Sequence, residues 1–256
     1  MTARRLQQAL SGAAAHGLLD ALRELVAAGG DIAYDQQEAL RLAAQEGQLH
    51  VVRWLLDHGA DPAVQEHRPF RLAAERGHLE IVRLFLERGA DVHAKGNYAA
   101  GMAAQNGHLD VLRLLHGHGA QIGLRHGAMI VVAAAKGHLP VLRYLVDHGV
   151  NPAAEQGAAL LVAARDGRID IVRYLLEQGV DPALRDHGAL MQAAQAGHAE
   201  TVRLLLKAIR LRHGAGGIDT IGPATRQRAA QMARAHGHGV VASLLEADVW
   251  RPEPYP

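Results

Sequence analysis

The sequence predicts an all-α solenoid of stacked helix–turn–helix units, and three observations carry that prediction. Glycines recur every thirty residues, at Gly17, Gly47, Gly77, Gly107, Gly137, Gly167 and Gly197. Twelve residues after each of the first six comes a second glycine: Gly29, Gly59, Gly89, Gly119, Gly149 and Gly179. Between the paired glycines, apolar residues fall at the i, i+3, i+4 spacing of one helical face, as Leu79, Val82, Phe85 and Leu86 do in "HLEIVRLFLERG". An Ala-Ala pair also stands four residues before the first glycine of each repeat, for example Ala43-Ala44, Ala73-Ala74 and Ala163-Ala164.

Each repeat therefore reads as two short helices. The first carries "RLAAERG" or "LVAARDG", whose alanines let a neighbouring helix approach closely. The second runs from the first glycine to the second, which supplies a left-handed stop. Either helix alone is too short to be stable in water. Stacking on its neighbours buries the face that one repeat cannot bury by itself. In chain order, repeat one opens with "MTARRLQQALSGAAAHGLLDAL", which mimics a secretory leader. Gln7, Gln8 and His16 interrupt its apolar stretch, and Ala13-Ala14 and Gly17 fit the repeat, so it reads as folded protein. Repeats two and three keep the full pattern. Repeat four has Ala100 where the others have Leu40, Phe70, Ile130, Leu160 and Leu190, then Gly101, and His116 in place of Leu56, Leu86, Val146 or Leu176. Those departures predict a weak point over 95–124, because an array's stability is roughly a sum over repeats and nearest-neighbour interfaces. Repeats five to seven continue to about residue 207.

The period breaks once. After Gly197 the series resumes at Gly237, ten residues late. The extra residues lie in "KAIRLRHGAGGIDTIGPATRQ", read as a longer second helix and a Gly-rich loop. The expected organisation is one solenoid over 1–247, with seven repeats to about 207, an insert at 208–222 and a C-terminal capping unit at 223–247. A proline-rich tail, "DVWRPEPYP", fills 248–256.

On the Ala-Ala pair, the Gly-His-Leu turn, the Ile-Val-Arg-x-Leu-Leu second helix and the closing Gly-Ala-Asp, the chain resembles the ankyrin repeat family over about residues 5–247. "RPFRLAAERGHLEIVRLFLERGADV" (Arg68 to Val92) shows the resemblance best, with Pro69-Phe70 where the family has Thr-Pro-Leu-His. The period of thirty is shorter than the family's usual figure of about thirty-three. The missing residues fall where the family builds a projecting β-hairpin. The resemblance thus implies an ankyrin-type α-solenoid with short loops in place of long β-hairpin fingers. It also implies a concave face that holds a partner protein.

Composition narrows the chemistry. The 256 residues carry a net charge of +1, which speaks against a general polyanion binder. No apolar run approaches the twenty or so residues of a membrane span. The chain has no cysteine, so neither a disulfide nor a thiolate nucleophile is available. A cytoplasmic location is expected, with delivery to another cell or compartment left open. Seventeen histidines invite a metal reading, but His78, His108, His138 and His198 each belong to a different repeat. The close pairs His116/His118 and His236/His238 lack a third ligand at zinc spacing. No metal and no cofactor are expected. An arginine ladder (Arg23, Arg53, Arg83, Arg113, Arg143, Arg173, Arg203) marks the second helices, and an acid precedes most members by three residues, which reads as solvated i, i+3 pairing.

Function should lie where the repeats differ. The residues between Ala-Ala and Gly vary, and so do the loops "DQQE", "QEHR", "KGNY", "RHGA", "EQGA" and "RDHG" before the first helices. Candidate partner contacts are Tyr34, Arg41, His67, Arg68, Arg71, Glu75, Arg76, Tyr98, Met102, Asn106, Arg125, Met129, Lys136 and Arg165. The expected role is a protein–protein interaction module, monomeric when unbound and without catalysis. It would act as an inhibitor, an immunity-type protein or an adaptor. One alternative is a delivered effector or an enzyme with its site in 208–222, where His213 and Asp219 lie. Another is nucleic-acid binding through Arg210, Arg212, Arg226, Arg228 and Arg234.

Overall fold

A computed structural model of the chain describes residues 3–123, 127–213 and 221–247. The described residues form sixteen helices and no strand, as the glycine register predicts. Two compact units divide the chain, Met1–Ile122 and Gly123–Pro256.

The first unit holds four helix pairs: α1 (Ala3–Ala15) and α2 (Leu19–Ala27), α3 (Tyr34–Gln45) and α4 (Leu49–Asp57), α5 (Val64–Arg76) and α6 (Leu79–Glu87), α7 (Ala94–Asn106) and α8 (Leu109–Gly117). Each first helix packs on the next, α1 on α3, α3 on α5, α5 on α7, and α4, α6 and α8 form a second layer. The second unit repeats the plan with α9 (Ala128–Lys136), α10 (Leu139–Asp147), α11 (Ala154–Arg165), α12 (Ile169–Glu177), α13 (Leu184–Ala196), α14 (Ala199–His213), α15 (Pro223–Ala235) and α16 (Gly239–Glu246). There α9, α11, α13 and α15 form one layer, and α12, α14 and α16 the other.

The alanine pairs are the seam of each first-helix layer: Ala43, Ala44, Ala73, Ala74, Ala103, Ala104, Ala163 and Ala164 have no exposed surface. Phe70, Leu40 and Leu190 fill the adjoining core, and Ala100 is as fully buried as they are. His116, by contrast, is only half-buried, so repeat four does not bury an imidazole in its core.

Both glycine series end helices in the same way. Gly77 closes α5 at φ +81°, with His78 N donating to Ala73 O (2.9 Å). Gly89 follows α6 at φ +82°, with Ala90 N donating to Phe85 O (2.9 Å). These are Schellman closures, which satisfy carbonyls that the helix end leaves unpaired.

The loops that replace the hairpin fingers are shorter than the family's, and a left-handed turn takes up the chain reversal. Gln65, Glu66 and His67 all have positive φ (50°, 54°, 59°). The same run recurs at Lys95–Asn97, Glu155–Gly157 and Arg185–His187. Only glycine adopts this conformation cheaply, so each other residue costs about 1–2 kcal/mol. Three kinds of bond hold the turns. An i→i−4 backbone bond closes each, for example His67 N to Ala63 O (3.1 Å). The aspartate of Gly-Ala-Asp accepts from the amide two residues on, Asp61 from Ala63 and Asp91 from His93, both at 2.8 Å. The third residue of the turn can also reach back to the closing loop of its own repeat. Asn97 Oδ1 accepts from Gln121 N (2.9 Å), and at the equivalent place in repeat one the amide of Gln7 pairs with Asp31 N and O (2.9 and 3.2 Å). The same register holds His67 and His187, whose Nδ1 atoms are buried without a hydrogen-bond partner.

Candidate functional site

The turn histidines are structural, as their spacing suggests. His78, His108 and His198 donate Nε2–H to the carbonyls of Gln45, Glu75 and Arg165, at 2.9, 3.0 and 3.0 Å. Each ring lies over the glycine of the preceding repeat. A Cβ on Gly47 would come within 2.7 Å of the His78 ring, and one on Gly77 within 2.5 Å of the His108 ring. Arg168 takes this place over Gly137. No group of three or more His, Asp or Glu suited to a metal occurs among the described residues.

The arginine ladder is equally local. Arg23, Arg83, Arg113 and Arg203 pair with the acids three residues earlier, all at the surface. Arg143 lies 5.0 Å from the centre of the Tyr174 ring, and burial raises the pKa of the Tyr174 phenol above its ordinary value. The C-terminal arginines are largely engaged within the chain. Arg212 donates to Gly179 O (2.7 Å), Arg228 pairs with Asp186, and Arg234 pairs with Glu246. The Arg228 hydrogen bond lowers the pKa of the Asp186 carboxyl.

The varying residues converge in one place within the first unit. A groove of about 460 Å³ runs between α5 and α7, lined by Gln65, Arg68, Arg71, Glu75, Lys95 and Tyr98 among others. Both helices begin with the left-handed turn, and that turn aims Gln65 and Lys95 into the groove. Lys95 pairs with Glu66 across it (3.3 Å), and Arg68 bonds Gln65 (3.0 Å).

Arg71 plays a different part from the one a free contact residue would play. It is 8 % exposed. Its Nε donates to Glu66 O (3.0 Å) and its Nη2 to Gln65 O (3.2 Å), so it clamps the carbonyls of the strained turn. The guanidinium also lies 5.1 Å from the centre of the Tyr98 ring. Arg71 thus positions the groove wall and supports Tyr98, which is 38 % exposed.

The remaining sequence-derived candidates are not among the residues that line this groove. His67 follows Glu66 in the turn and is half-buried, while Arg76 is exposed at the end of α5. Asn106 donates Nδ2–H to Glu75 O (2.8 Å) and joins repeat four to repeat three. Met102 is half-buried on α7. Tyr34 is 46 % exposed at the start of α3. Arg41 pairs with Glu38 (3.4 Å), which also accepts from Ser11 Oγ (3.1 Å). In the second unit, Met129 is half-buried, and Lys136 and Arg165 are exposed at the ends of α9 and α11. Arg165 bonds Asp166 at 2.7 Å, which lowers the Asp166 pKa and raises its own. Arg125 lies outside the described residues, as do Asp219 and the 248–256 tail, and the side chain of His213 is likewise not described.

Sequence reasoning missed the clamp. Arg41, Arg71, Gly101, Val131, Leu161 and Met191 share one register of the first helices. Arg71 and Met191 are in fact buried. No local pattern announced it: "QEH" and "RDH" both form the turn without a glycine, yet the register position that follows is Arg71 in the first case and Met191 in the second.

No curated protein matches the chain. The family model for ankyrin repeats in three copies matches residues 10–96 and again 100–186, and the single ankyrin repeat model matches 188–211. These matches cover well over half of the sequence, and ankyrin repeats are generally protein–protein interaction modules. No helix among the described residues is long and apolar enough to cross a membrane. The chain belongs to the ankyrin repeat family.

Proposed function

We propose that the protein binds a partner protein on the face formed by its first helices and left-handed turns, and that it blocks or positions that partner without catalysis of its own. The observation that carries this reading is the groove between α5 and α7, where Arg68, Glu75, Lys95 and Tyr98 come together from positions that vary between repeats. Exposed tyrosines and arginines around a concavity are the residue types that dominate interface energies. Here the aromatic is backed by a buried cation, so less of its freedom is lost on binding. An inhibitor or an adaptor would use such a groove to cover or to hold its partner. The pairing of Arg228 with Asp186 and of Arg234 with Glu246 disfavours the nucleic-acid alternative, because a phosphate would have to displace a carboxylate already in place.

Copurification from the cells that make the protein tests this reading. A stoichiometric partner protein should be retained by the wild type and lost by the double variant Arg68→Ala, Tyr98→Ala. Copurification with nothing, together with turnover of a substrate, would reverse the assignment.

A further inference from the structure

A second groove lies on the second-helix layer of the second unit, where one element leaves the repeat. The six second helices α2, α4, α6, α8, α10 and α12 span nine residues each, and α14 spans fifteen. The cause is local. Where the register puts a helix-stopping glycine, as at Gly149 and Gly179, α14 has Ile209, which is fully buried. The helix therefore continues, and its added turns rise beside the end of α12. Arg212 fixes them there through its bond to Gly179 O (2.7 Å).

A groove of about 500 Å³ results, lined by Leu176 and Glu177 from α12 and by Leu204, Lys207 and Leu211 from α14, with Arg173 and Arg212 at its margin. Leu211 is 75 % exposed, the most exposed of the large apolar side chains among the described residues. The lining carries three cations against one carboxylate, on a protein whose net charge is only +1. We propose that this groove docks an acidic amphipathic helix of a partner protein, with apolar side chains on Leu176, Leu204 and Leu211 and carboxylates facing Arg173, Lys207 and Arg212. The exposed leucine supplies the apolar contact and the excess of positive charge selects the sign of the partner.

Fluorescence anisotropy with the full chain tests it. The probe is a fluorescein-labelled peptide of about 18 residues, with leucine on one helical face and glutamate on the other. It should bind, weaken as salt screens the contacts, and lose about tenfold or more in affinity with L211E and again with K207E. Leu211 is exposed, so L211E should keep the helical circular dichroism of the wild type. The double variant R68A/Y98A should bind the peptide unchanged, which separates this surface from the first. Failure of the glutamate peptide to bind, equal binding of a lysine counterpart, or full binding by L211E would each overturn the proposal. A concentration-dependent dimer that L211E abolishes would also overturn it, by making a second copy of the chain the occupant.

Discussion

At Gly77 two separate constraints meet. Its φ of +81° belongs to the left-handed region, and the His108 ring of the next repeat occupies the space a Cβ would need. Gly59 has φ +94° but nothing within 4 Å of a Cβ. Gly77→Ala should therefore cost more than Gly59→Ala, which loses only the left-handed preference, about 1–2 kcal/mol. Urea unfolding of both variants checks this, and equal losses would mean that the ring is not held against the glycine. Arg71 and Arg68 form a second such pair. Arg71→Ala leaves two carbonyls of a strained turn without their donor and should destabilise the fold by about 1–3 kcal/mol. Arg68→Ala at the exposed rim should stay within about 0.5 kcal/mol. Similar losses from the two would return Arg71 to the list of free contact residues.

Among the first helices of the repeats, α7 departs from its siblings at two adjacent positions, Ala100 and Gly101. Gly101 sits inside that helix with open space around an added Cβ, so Gly101→Ala should stabilise the protein by about 1 kcal/mol through helix propensity. A loss on substitution would show that the site needs the glycine for another reason. The weak point expected over 95–124 predicts faster amide exchange there than in 65–94, and equal protection would remove it. The helices themselves were readable from the sequence, because Schellman glycines and i, i+3, i+4 apolar spacing act within one element and leave a local signature. The left-handed turns were not. Their conformation follows from the short span between Asp61 and Arg68, and the residues that adopt it, Gln65, Glu66 and His67, carry no propensity that announces it. The extension of α14 was legible at Ile209, where a glycine is missing from its register. The groove it forms needed the position of Gly179 as well.

For the molecule as a whole, the repeat accounts for the architecture and the departures from it account for the candidate surfaces. Buried alanine pairs and turn histidines recur because each repeat is the packing surface of the next. The variation that sequence alone could identify was a set of registers, and only folding showed which members face outward: Tyr98 and Arg68 do, while Arg71 and Met191 are buried. The central claim is that partner binding uses the first-helix face of the first unit. Amide hydrogen exchange of the chain alone and in complex with its copurified partner measures this most directly. The account predicts new protection over 64–76 and 94–106, the stretches that frame the groove between α5 and α7. Protection confined to the second helices, with 64–76 and 94–106 exchanging as in the free chain, would contradict it.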